Sequence, residues 1–206
     1  MIYEIRTYTL KPGQTAEYEK RFEASLPARF KYSELAAFWH TDIGPLNQVI
    51  HVWPYENLSQ RAEVRSRAAR EPDWPPKTNE LLVSQECGIY VPAPFSPKLG
   101  GNQKLGNIYE MRIYQLKPGS LPAFIERWGA ALQKGRLNLS PLAACMSSEI
   151  GELNVWIHIW PYADLKERDR VREESRKLTT WPPDNQEFLV SQQNKILIPA
   201  SFSPMA

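Results

Sequence analysis

The chain is written twice. Residues 3–14, YEIRTYTLKPGQ, return at 109–120 as YEMRIYQLKPGS, identical at eight of twelve positions. Residues 44–55, GPLNQVIHVWPY, return at 151–162 as GELNVWIHIWPY, again eight of twelve. Residues 81–97, LLVSQECGIYVPAPFSP, return at 188–204 as FLVSQQNKILIPASFSP, ten of seventeen. The offset is 106 for the first block and 107 for the others, so the second copy carries one inserted residue. Conserved order and spacing over the whole length mean a tandem duplication of a unit of roughly 100 residues, the size of a small domain. The copies occupy 1–97 and 108–206. Between them, residues 98–107 hold three glycines and two asparagines, which predicts a flexible connection.

The repeat also explains an odd composition. Twelve of the 18 prolines fall into six matched pairs, and four of the seven tryptophans pair as Trp53/Trp160 and Trp74/Trp181. Both are strand-end punctuation counted twice. A net charge of +2 from 25 basic and 23 acidic side chains gives no electrostatic reason to expect nucleic acid or an anionic membrane as partner. No apolar run approaches the ~18 residues of a membrane span. The N-terminus reads as a strand, without the basic and apolar regions of a secretory signal or the pattern of a transit peptide. The cysteines, Cys87 and Cys145, have no matched counterparts and belong to no C-x-x-C motif. They are expected as free, buried thiols in a reducing, cytoplasmic setting.

Each copy alternates between two periods. Tyr3–Leu10 reads as a strand ended by Lys11-Pro12-Gly13. Tyr18, Phe22 and Leu26 follow at helical spacing, matched by Phe124, Trp128 and Leu132. Strands are expected over 35–42 and 48–53. The capping boxes Asn57-x-x-Gln60 and Asp164-x-x-Glu167 then open a second helix, and a last strand covers about 82–91. The order βαββαβ is the ferredoxin-like arrangement. It covers one sheet face with helices and leaves the other bare. Two units in one chain predict an α+β protein in which the bare sheets pack together as an eight-stranded barrel, the dimeric α+β barrel fold.

Strand alternation divides the side chains. Tyr3, Ile5 and Thr7 share one face of the first strand and Glu4, Arg6 and Tyr8 the other; Glu110, Arg112 and Tyr114 repeat the second set. His51 and Trp53, and their copies His158 and Trp160, share a face of the third strand. If amphipathic helices take the more apolar face, the polar and aromatic set points into the space between the sheets. Glu4, Arg6, Tyr8, Trp53, Glu110, Arg112, Tyr114 and Trp160 are then candidate ligand-binding residues. His51 and His158 are candidate proton-transfer groups. A plain buried ion pair between Glu4 and Arg6, and a neutral histidine hydrogen-bonded to Glu4 or to backbone, are the structural alternatives. Neither histidine has companions at metal-ligand spacing, so no metal site is expected, and nothing implies a cofactor. His40 matches Ser147 and has no duplicate. The arginines of the second helix in each copy interleave with glutamates, which predicts a solvated, salt-bridged helix face.

Tyr3-Glu4-x-Arg6-x-Tyr8-x-Leu10-x-Pro12-Gly13, His51-x-Trp53-Pro54-Tyr55 and Trp74-Pro75-Pro76 resemble the NIPSNAP family. The second copy carries the same marks at 109–119, 158–162 and 181–183. The resemblance spans nearly the whole chain and implies two tandem NIPSNAP domains of the dimeric α+β barrel type. It implies less about chemistry, since the family is not defined by an established catalytic mechanism. Its better-known eukaryotic members are mitochondrial proteins linked to trafficking and organelle quality control, and that location does not carry over without a transit peptide. Three functions follow as expectations. The first is binding of a small molecule in the inter-sheet cavity, or another non-catalytic role, in a protein able to form homo-oligomers. The second is a cofactor-independent isomerase or monooxygenase acting on a small aromatic or keto compound, with Arg6 or Arg112 holding an anionic group. The third is a scaffold whose charged helices bind a protein.

Overall fold

The computed structural model describes residues 1–101 and 103–206; Asn102, within the expected connection, lies outside them. The first repeat runs β1 (Ile2–Leu10), α1 (Thr15–Phe30), β2 (Ala37–Ile43), β3 (Gln48–Tyr55), α2 (Leu58–Ala68) and β4 (Leu82–Pro92). The second runs β5 (Ile108–Leu116), α3 (Leu121–Gln133), β6 (Ala144–Ile150), β7 (Val155–Tyr162), α4 (Leu165–Arg176) and β8 (Leu189–Pro199). The eight strands close a barrel in the order β1-β3-β2-β8-β5-β7-β6-β4, antiparallel at every pairing. Within a repeat the order is that of the ferredoxin-like unit. Between repeats, β2 pairs with β8 and β4 with β6, so each edge strand finds its partner in the other copy. Closure leaves no open sheet edge along these seams.

The capping boxes form much as written. Asn57 Oδ1 accepts from Gln60 N at 2.9 Å, and the Gln60 side chain returns to Glu56 N. Asp164 and Glu167 repeat the arrangement, with Ala163 N as the returning donor. These caps fix where α2 and α4 start, and with that which side chains they lower toward the sheet. No helix among the described residues is long and apolar enough to cross a membrane.

The partition of faces holds, but their assignment is reversed. The barrel interior is filled by Tyr3, Ile5, Trp39, Ile50 and Val52 together with Tyr109, Met111, Met146, Ile157 and Ile159. The set Glu4, Arg6, Tyr8, His51 and Trp53 faces the helices, where Tyr8 and Trp53 pack with Tyr18, Phe22 and Leu26 of α1. Tyr114, Trp160, Phe124 and Trp128 repeat this in the second copy. The reason is desolvation. A closed barrel offers no water and few partners, so it takes the wholly apolar face, while charged groups lie where helix side chains can satisfy them. The second helix of each repeat is also mostly polar, α2 burying only Val64 and Ala68 and α4 only Val171 and Ser175.

The connection is anchored at both described ends instead of flexible throughout, Asn107 N donating to the Tyr162 carbonyl at 3.0 Å at its close. Leu99 is fully buried in the barrel core, and its N–H donates to the Tyr3 hydroxyl at 2.9 Å. At the chain's end Met205 does the equivalent, its carbonyl accepting from the Tyr109 hydroxyl at 2.8 Å.

Candidate functional site

Pairing register assembles the same face from three strands. Arg6 stands opposite His51 on β3 and Cys87 on β4, and Glu4 opposite Trp53. In the second repeat Arg112 stands opposite His158 and Asn194, and Glu110 opposite Trp160. Glu4 is fully buried. Its carboxylate takes Arg6 Nη1 at 2.5 Å, Arg61 Nε at 3.0 Å and Nη2 at 3.1 Å, and Arg65 Nη1 at 3.3 Å. The Cys87 thiol donates to it as well, at 3.2 Å. Burial alone would raise this carboxyl, but hydrogen bonds and attraction from Arg61, Arg65 and Arg6 outweigh it and hold it at about 2. Glu110 is held low in the same way by Arg168, Arg112 and Arg172, with Asn194 Nδ2 at 3.1 Å in place of the thiol.

These ion pairs correct the expectation for the helix arginines. Arg61, Arg65, Arg168 and Arg172 turn inward to a strand glutamate, while Arg67–Glu63 and Arg170–Glu167 remain surface pairs. The scaffold reading rested on an outward charged face, and half of that face is spent on the core. Each repeat places one such arginine pair a helical turn apart, Arg61 matching Arg168 and Arg65 matching Arg172.

The histidines are set by their neighbours two residues on. Trp53 Nε1 donates to His51 Nδ1 at 2.7 Å, and Trp160 Nε1 to His158 Nδ1 at 2.6 Å. An imidazole that accepts at Nδ1 carries its proton at Nε2. Burial, reinforced by Arg6, lowers His51 to about 3 despite the attraction of Glu4. Burial, with Arg112 and Arg136 adding to it, holds His158 well below its ordinary value. Both rings are therefore neutral near pH 7, and each Nε2–H is buried without a partner among the described residues. The hydrogen-bond partner is an indole, neither Glu4 nor backbone. Arranged like this, the rings are poor proton acceptors: one nitrogen is occupied and the other already protonated.

A fourth arginine in each repeat completes the site. Arg29 lies over the Trp53 ring at 4.4 Å and donates to the Tyr55 hydroxyl at 2.8 Å. Arg136 lies over Trp160 at 3.8 Å and donates to Ser140 Oγ at 2.9 Å. Arg6 and Arg112 donate through Nε to Tyr8 and Tyr114, at 2.5 and 2.7 Å. Arg29 and Arg136 also occupy matched positions, but they sit in helix-end segments too diverged for the repeat to announce them.

Two cavities open on these residues, one per repeat, each between sheet and helices. The larger, about 490 Å³, is lined by Arg112, Tyr114, His158 and Trp160 with Phe124, Trp128, Arg136 and Trp181. The smaller, about 280 Å³, is lined by Arg6, Tyr8, His51 and Trp53 with Phe22, Arg29 and Trp74. Glu110 also lines the larger cavity. The inter-sheet location is thus corrected: the candidate residues come together, but outside the barrel. His40 is elsewhere, with Nδ1 2.7 Å from Glu19 Oε1. Cys145 is buried as expected, whereas Cys87 is exposed apart from its thiol contact. No group of three or more His, Cys, Asp or Glu among the described residues is placed to hold a metal ion.

Fold and site together define a tandem dimeric α+β barrel protein with an arginine- and tryptophan-walled cavity under each helix layer. The NIPSNAP family model matches residues 3–97 and again 109–204. The chain belongs to the NIPSNAP family. It is 34% identical over 216 residues to human protein NipSnap homolog 3B, covering 98% of this chain and 85% of the human protein. It is 29% identical over 192 residues to the NipSnap homolog of Dictyostelium discoideum, covering 87% and 78%. Among solved structures, an uncharacterized NIPSNAP domain protein from Burkholderia xenovorans is 35% identical, covering 48% of this chain and 100% of its own (TM-score 0.46). An anthrone oxidase-like protein covers 100% of this chain and 94% of its own at 8% identity (TM-score 0.60), a likeness of fold alone.

Proposed function

We propose that this NIPSNAP protein binds a small molecule in the space between helices and sheet, against Arg112, Tyr114, His158 and Trp160 or their first-repeat counterparts Arg6, Tyr8, His51 and Trp53. One observation carries the reading. A cavity of about 490 Å³ with aromatic walls and converging polar groups lies within the ~300–1,000 Å³ range of ligand sites. Glu4 and Glu110 act at one remove, holding the arginines in place.

The alternative, a cofactor-independent isomerase or monooxygenase, needs a group that accepts a proton. The neutral, indole-bound histidines do not supply one, so binding is the better supported reading. Two cysteines outside any disulfide support a reducing, cytoplasmic setting. Self-association into homo-oligomers belongs to the same proposal, supported by the exposed Leu46 and Leu153 at the β2–β3 and β6–β7 hairpins and by Val83 and Val190. The near-zero net charge supports partners other than nucleic acid.

The test is a thermal-shift screen of a mixed charged and neutral fragment panel against the full chain and Gln192→Trp, which plugs the larger cavity from its exposed rim. Stabilising hits that Gln192→Trp abolishes are expected, since a ligand at about 100 times its Kd adds ~2.7 kcal/mol. A panel that shifts neither protein would remove the reading.

A further inference from the structure

The two cavities are built from duplicated residues but are no longer equivalent. In the second repeat, Arg176 lines the cavity where the first repeat has Ala69. Phe124 and Asn185 stand where the first repeat has Tyr18 and Thr78. The first cavity, the smaller of the two, carries a phenol where the second has a phenyl ring, and it lacks one cation.

Charge in the second cavity is out of balance. Glu110 is the single carboxylate on its wall, and Arg112, Arg168 and Arg172 already share it. Arg136 and Arg176 line the same space and take part in no ion pair found among the described residues. Arg136 is 3% exposed, and burial lowers it from the ordinary arginine value. Burial also lowers Arg172, against the attraction of Glu110 and with the repulsion of Arg112 and Arg168 adding to it. Guanidiniums crowded in this way gain most from an added anion, and their planar forks suit carboxylate or phosphate oxygens. Phe124, Trp128, Trp160 and Trp181 line the same space, Arg136 lying over the Trp160 ring at 3.8 Å, and form an aromatic wall for a flat apolar body.

Resting on the binding reading above, we propose that the second repeat alone is the ligand site, and that its ligand is a planar, mainly apolar molecule bearing one carboxylate or phosphate. The anionic group meets Arg136, Arg172 and Arg176, and the flat body lies among the tryptophans. The first cavity is the structural copy of this site and stays empty of such a ligand.

Calorimetric titration of the full chain with 2-naphthoate, 2-naphthyl phosphate and neutral 2-naphthamide tests this. One anion per chain is expected to bind, with the amide weaker by about tenfold or more, the worth of one charge-assisted hydrogen bond. Carboxylate against phosphate tells which head group the site takes. Arg176→Ala, an exposed position whose fold is checked by circular dichroism, should weaken the anion by about tenfold and leave the amide unchanged. Equal affinity for anion and amide, an unaffected Arg176→Ala variant, or two anions per chain would each overturn the proposal while cavity binding stands. No heat from any of the three compounds would overturn it too, and the fragment screen then decides whether cavity binding survives separately.

Discussion

A buried imidazole can be neutral in two forms, and here the indole two residues further along the strand chooses between them. Because β-strand side chains repeat every second residue, Trp53 and Trp160 share a face with His51 and His158. That much is legible from the sequence. The bond itself is not, because alternation gives the face of a side chain and says nothing of its χ angles. NMR of the imidazole nitrogens should show Nε2–H in both rings near neutral pH; an Nδ1–H tautomer would be incompatible with the indole bond. Trp160→Phe should cost ~1–3 kcal/mol, since it leaves a buried nitrogen unsatisfied, read as a lower midpoint in urea with an unchanged slope. The sign with pH follows from the direction of the shifts. His51 lies at about 3 when folded against an ordinary 6.5, so the unfolded chain takes up a proton that the folded one refuses. Its contribution is full above pH 6.5 and is lost as pH falls toward 3. Glu4, at about 2 against 4.5, contributes above pH 4.5 and loses that contribution toward pH 2. Thermal midpoints should therefore begin to fall below about pH 6.5, and His51→Gln/His158→Gln should delay the fall until the carboxylates titrate. A double variant that tracks the parent through this range would refute the assignment.

At the scale of the elements, the order βαββαβ, the caps and the two face sets were all readable, and the choice of inward face was not. That choice depends on what covers each face. Helix α2 carries few apolar residues but delivers Arg61 and Arg65, spaced one turn apart, onto a strand carboxylate. A pattern count scores such a helix as solvated. Only the depth of Glu4 shows that its arginines are structural. Arg61→Ala should then destabilise the chain by about 1–3 kcal/mol, because Glu4 stays buried with fewer donors; the remaining arginines keep the loss from being larger. Glu63→Ala, which breaks the exposed pair to Arg67, should change stability by less than about 0.5 kcal/mol. Equal effects of the two substitutions in denaturant titrations would mean that the buried cluster contributes no more than a surface pair.

For the molecule as a whole, duplication and barrel closure are one fact seen twice. Each repeat alone would expose Tyr3, Ile5, Trp39, Ile50 and Val52, or their counterparts, and would leave unpaired the β2 and β4, or β6 and β8, segments that now form the seams. At ~1.5–3 kcal/mol for each large apolar side chain, that exposure amounts to roughly 10 kcal/mol, comparable with the whole stability of a typical domain. The repeat was legible because the helix-facing set, Glu4, Arg6, Tyr8, His51 and Trp53, returns unchanged in the second copy, while the interior keeps only its apolar character, with Met111 for Ile5 and Met146 for Trp39. The seams were not, since pairing partners that far apart in the chain leave no local pattern. Residues 1–97 and 108–206 produced separately should therefore fail as folded monomers, sedimenting as dimers or larger species or precipitating. Mixed after denaturation, they should recover a complex of one copy each, with the circular dichroism of the intact chain and a thermal midpoint that rises with concentration, as linked folding and association require. Either half persisting as a folded monomer at micromolar concentration would show that a single four-stranded sheet with two helices suffices, and that closure serves the paired cavities more than the fold.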